Sequence, residues 1–251
     1  MSTAPVPTPG VEVAPLSEGA RILSTFLAPS KTFSDLRRNA SWWAPWLLIA
    51  IVSVVFVRVV QVKVGYRKVA ENQIEMVPKA AAHMDRLPPD QREKQIEGRA
   101  RGSLYFAYAR PVLVLLWYAV IAAVLLGTFK FGASAEIPFK IAFAVVLYSS
   151  LPMILRNLLG IVSLLAGASP DSFYPDNPVA TNIGYFLDPK SSFALYAFAS
   201  SFDLFAIWTL VLTAIGFSSV AKLKRSTAFA GVFGWYIFVA LLGTGVAALF
   251  S

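Results

Sequence analysis

The sequence predicts an all-α integral membrane bundle of five transmembrane helices, with an N-terminal amphipathic segment and an extramembrane helical hairpin. Of its 251 residues 57% are hydrophobic and 14% charged. Soluble domains run at about 45–50% apolar and about 25% charged, so this chain has too little charge to cover a water-facing surface. Its apolar residues also gather into uncharged runs near or above the ~18 residues that read as a membrane span.

Residues 1–16 are proline-rich with little to bury, and are expected to be a disordered tail. Residues 17–41 form the amphipathic segment. Ile22, Leu23, Phe26 and Leu27 share one helical face, Pro29 interrupts, and a second turn places Phe33 beside the basic Arg37 and Arg38. That pattern is expected of short helices lying along the membrane surface.

The first span covers about residues 42–62 and opens on Trp42, Trp43 and Trp46, an interfacial aromatic cluster. Residues 63–103 are the sizeable polar piece, read as two charged helices turning at Pro88 and Pro89 and continuing the spans beyond the membrane. The second span is the uncharged run 111–129. The third, 139–167, would measure ~44 Å as one helix, so it must tilt, protrude or break, and Pro152 marks the place for a kink. The fourth covers 193–217 with one charge, Asp203, and the fifth 226–250 with none. Between the third and fourth, residues 168–192 are rich in Pro, Asp and Asn and are expected to be irregular.

The segments Pro29 to Ala50 (PSKTFSDLRRNASWWAPWLLIA) and Phe202 to Trp235 (FDLFAIWTLVLTAIGFSSVAKLKRSTAFAGVFGW) resemble the Yip1-domain family, in its prokaryotic form. The resemblance extends from about Gly19 onward. It implies a five-helix membrane protein with a cytosolic N-terminus and the C-terminus on the other face. Eukaryotic members are associated with vesicle traffic and with prenylated Rab GTPases. The DLYGP-type segment that precedes their first span is missing here, so Rab binding does not carry over.

The basic residues alone do not fix that orientation. Short segments on the N-terminal side carry Lys31, Arg37, Arg38, Lys130, Lys140, Lys222, Lys224 and Arg225, but the long first loop is basic as well.

The chain has no cysteine and a single histidine, His83. Disulfides, thiolate nucleophiles, histidine metal clusters and a Ser/His/Asp triad within the spans are thereby excluded. No nucleophile elbow, phosphate-binding glycine loop or HExxH motif is present. No catalytic, metal or cofactor site is expected. The net charge of +8 lies mostly beside apolar segments, which suits lipid headgroups rather than nucleic acid.

Ionisable residues inside a membrane need partners or a wet cavity. Asp203 is expected to pair with Arg156 before Arg58, the latter lying near a helix end where it can snorkel. Thr227 with Gly231, and Ala230 with Gly234, have the four-residue spacing of small residues that lets helices approach closely, within the bundle or between two copies. The expected function is a non-enzymatic scaffold or adaptor, its partners membrane lipids and either a protein or a second copy of the chain. The alternative is a small transporter or channel for a lipid or ion, built on the kinked third span and Asp203.

Overall fold

Burial in the spans follows the sequence closely at one helix above all. From Ala142 to Leu151 the chain is buried at every residue, which makes this stretch the axis around which the rest packs. The computed structural model describes residues 14–249; most of the expected disordered tail and the last two residues lie outside them. Among the described residues the chain forms eleven α-helices and no strand.

In order these are α1 (Glu18–Leu27), α2 (Pro29–Leu36), α3 (Trp43–Lys63), α4 (Tyr66–Met76), α5 (Pro78–Asp85), α6 (Pro89–Ala133), α7 (Phe139–Ser149), α8 (Pro152–Leu165), α9 (Phe193–Ser200), α10 (Leu204–Ala221) and α11 (Arg225–Leu249). Among the described residues, five segments are long and apolar enough to cross a bilayer: α3, α6, α7 with α8, α10 and α11. The outer helices α6 and α11 leave Val120, Trp117, Leu241 and Leu242 exposed. In a bilayer such side chains meet acyl chains at no cost. The protein is a multi-pass membrane bundle.

Three features depart from the sequence expectation, and another, the interruption of the third span, realises one of the outcomes named for it; each has a local reason. First, α1 and α2 do not present a separate surface-lying apolar face. Phe33 and Leu36 are fully buried, and α2 packs along α7 and α10. Gly216 on α10 makes room for this, since a Cβ there would stand 2.4 Å from Val145 Cγ1 and 3.2 Å from Phe33. Phe26 sits edge-on to Trp208 at 5.6 Å. Leu23 and Leu27 remain exposed, so the apolar positions of α1 divide between the bundle and its surroundings.

Second, the polar piece holds three helices. Lys63 ends α3, and Gly65, at φ +82°, turns the chain into α4. Pro78 opens α5 at a position where its missing N–H costs nothing. The 45-residue α6 then runs unbroken from Pro89 into the second span, with Pro111 inside it.

Third, the third span breaks. Ser149 ends α7, and Pro152 occupies the first turn of α8, so the proline restarts the helix after a short turn instead of kinking one rod. Fourth, the fourth span also breaks: α9 ends at Ser200 and α10 begins at Leu204. Ser201, Phe202 and Asp203 lie between, and Asp203 caps α10.

Candidate functional site

The polar groups inside this bundle gather at two places, and a third polar region stands beyond the spans. The first cluster ties α1 and α2 to the axis. Arg21 on α1 is 1% exposed. Its Nε donates to Asp35 Oδ2 at 2.7 Å and its Nη1 to Glu18 Oε1 at 3.3 Å. Glu18 Oε2 in turn accepts from the Tyr148 hydroxyl of α7 at 2.6 Å. The hydroxyls of Thr25 and Thr32 both donate to the Arg21 carbonyl, at 2.8 and 3.0 Å.

Burial works to lower the Arg21 pKa, but the hydrogen bond and charge of Asp35, helped by Glu18, outweigh it and leave the group above its usual value. The cluster is therefore a satisfied internal network. Sequence reasoning missed it. Its signal was present as a polar stripe at helical spacing, Arg21 with Thr25 and Thr32 with Asp35, on helices read for their apolar faces.

The second cluster surrounds Asp203. Its Oδ1 accepts from the backbone N–H of Phe205 at 2.9 Å and of Ala206 at 3.2 Å, the geometry of a helix N-cap. Its Oδ2 accepts from the Thr181 hydroxyl and from Asn182 Nδ2 at 3.4 Å. Arg156 Nε on α8 lies 3.9 Å from the same oxygen, at ion-pair range and beyond hydrogen-bond length. Arg156 Nη2 donates to the Asp176 carbonyl.

Asn182 Nδ2 also donates to Asn177 Oδ1 at 2.7 Å, and Asn177 Nδ2 donates to the Tyr196 hydroxyl at 3.2 Å. The loop 166–192 is thus stitched to the break in the fourth span. Arg58 is not brought to Asp203; its Nη1 donates to Gln61 Oε1 at 3.0 Å on its own helix.

The remaining candidates are placed as follows. A Cβ on Gly231 would stand 2.7 Å from the Phe129 ring of α6, so this glycine sets a close helix contact. Thr227, Ala230 and Gly234 are exposed. Arg37 and Arg38 are exposed, and Ile22 packs at the margin of the core. Among the described residues there is no group of three or more side chains suited to hold a metal ion.

The third region is a platform made of α4, α5 and the first half of α6. It has a small core of Ile74, Met84 and Ile96. Asn72, buried, fastens it to the long loop by donating through Nδ2 to the carbonyls of Pro170 at 2.8 Å and Phe173 at 3.1 Å. Lys68 pairs with Asp171 at 2.7 Å, and Lys190 with Glu75 at 3.0 Å. Hydrogen bonds to these carboxylates hold both lysines above their ordinary pKa. Arg67 bridges α4 to α6 through Glu93, with Nη2 to Oε2 at 2.8 Å. Lys79 Nζ reaches the Leu249 carbonyl at the end of α11 at 2.6 Å.

The Yip1 domain family model matches residues 23–247 of the chain. No curated protein and no solved structure matches it.

Proposed function

The chain belongs to the Yip1 domain family, a family of multi-pass membrane proteins tied to membrane traffic and not known for enzymatic activity. From that premise we propose that it is a non-enzymatic scaffold or adaptor, which displays the platform of α4, α5 and the first half of α6 to partner proteins. The observation that carries this is the way the platform is fixed. Asn72, Lys68, Lys190 and Lys79 bind it to the loop and to α11, while Asp90, Arg92, Lys94, Glu97, Arg99 and Arg101 on α6 face outward. A rigid, charged, outward-facing surface suits protein recognition, because little ordering entropy is lost on binding.

The polar groups inside the bundle support the same reading. Asp203 caps a helix and accepts from Thr181 and Asn182, so it serves the fold. In this proposal the N-terminus is cytosolic, the C-terminus and platform lie on the other side, and the membrane is the bacterial cytoplasmic one.

The test has two arms. Photo-crosslinking residues placed at Gln91 and Arg99 in native membranes should give discrete protein adducts. The purified chain in liposomes should carry neither ions nor lipid across the bilayer. Flux that is abolished by Asp203→Asn would overturn the adaptor and establish a transporter.

A further inference from the structure

Along α6, Ser103, Phe106, Arg110, Leu113 and Trp117 follow at three- and four-residue steps and so lie on one stripe. They line one wall of a groove of about 420 Å³, whose facing wall is Phe56 and Val57 of α3 and Tyr66 and Val69 of α4. Its lining is of two kinds: Ser103, Gln73, Arg110 and Asp176 are polar, and Phe56, Val57, Leu113 and Trp117 are apolar. Gln73 belongs to α4 of the platform, whereas Leu113 and Trp117 belong to the uncharged run of α6.

Arg110 stands immediately before Pro111, where the uncharged run of α6 begins. Its nearest acidic contact is Asp176, at 3.6 Å, with the Asp176 side chain 78% exposed. That is longer than a hydrogen bond, and a guanidinium has five N–H donors to offer. Burial, with Tyr108 nearby, pushes the Tyr66 hydroxyl up to about 12, so it stays protonated and able to donate. Tyr105 and Phe106, one turn beyond Arg110, are exposed, as aromatic side chains are at the headgroup level of a membrane.

We propose that this groove is a binding site for a phospholipid with an acidic headgroup, its phosphate at Arg110 and one acyl chain along Leu113 and Trp117. A guanidinium together with the apolar side chains of the next two turns of α6 matches the two ends of that molecule. The site would fix the level of the bundle in the bilayer and make its stability depend on anionic lipid. It stands apart from the adaptor reading, which needs only the outward face of the platform.

The test is tryptophan quenching in vesicles of equal parts phosphatidylglycerol and phosphatidylcholine, with bromine on the acyl chains of one lipid at a time. The Trp117 signal is taken as the difference between the full chain and its Trp117→Phe variant. Brominated phosphatidylglycerol should occupy the groove about fivefold over its share, the size of one basic side chain's attraction for an anionic headgroup. Arg110→Gln should return occupancy to the bulk ratio, and Asp176→Asn, which removes the competing carboxylate, should raise it.

Quenching of the remaining tryptophans reports whether Arg110→Gln keeps its fold; if it does not, Asp176→Asn decides. Equal quenching by the two lipids in the unaltered chain, or no response to either substitution, would overturn the proposal. Loss of the preference on adding inorganic phosphate would also overturn it, because the site would then be one for a free anion.

Discussion

Arg21 and Asp35 meet at 2.7 Å with both side chains withdrawn from solvent, and this bond closes α1 onto α2. Glu18 carries the connection on to Tyr148 of α7. The hairpin of α1 and α2 is thereby latched to the axis of the bundle, although its sequence has the composition of a surface helix.

Arg21→Leu should strip the partner from a buried carboxylate and destabilise the folded chain by about 3–5 kcal/mol. Arg21→Leu combined with Asp35→Leu should recover much of that loss, because no orphan charge remains. Thermal unfolding in mild detergent measures both. Additive losses would show that the two residues do not act as a pair.

Gly216→Ala should cost about 1–3 kcal/mol by overpacking, since its Cβ would strike Val145 and crowd Phe33. Gly234→Ala has open space at the same atom and should be neutral or slightly stabilising through helix propensity. Limited proteolysis between α2 and α3 should accelerate in the first variant alone.

Asp203 does more for α10 than for Arg156. Asn keeps the N-cap and Ala does not, so Asp203→Ala should lose about 1–2 kcal/mol more than Asp203→Asn. The double-mutant cycle with Arg156→Gln should give coupling of about 1 kcal/mol, modest because the pair stands at 3.9 Å. Coupling of several kcal/mol would mean that the ion pair, not the cap, governs this site.

These residues also show what the sequence disclosed and what it withheld. The spans were legible because an uncharged apolar run has no stable alternative to a bilayer, and Asp203 with Arg156 stood out as charges inside such runs. The break at Asp203 was less visible. An aspartate before Leu204 and Phe205 is a helix-start signal, but in an apolar run it reads first as an intramembrane charge.

The Arg21 cluster was hidden for a different reason. Amphipathicity tells which face of a helix is apolar, yet burial of α2 depends on Gly216 and Val145, more than a hundred residues away in sequence. The third helix of the platform hung on Pro78, whose role as a helix start follows from its position after Val77.

The central claim is a bundle whose platform stands on the opposite side of the membrane from its N-terminal helices. The chain has no cysteine, so single cysteines can report it directly. Ser34→Cys and Lys224→Cys mark the N-terminal side, and Gln91→Cys and Ser172→Cys the platform side, all at exposed positions. In intact cells a membrane-impermeant maleimide should label the second pair at once and the first pair after permeabilisation only. Labelling of Ser34→Cys and Gln91→Cys from the same side would contradict the account.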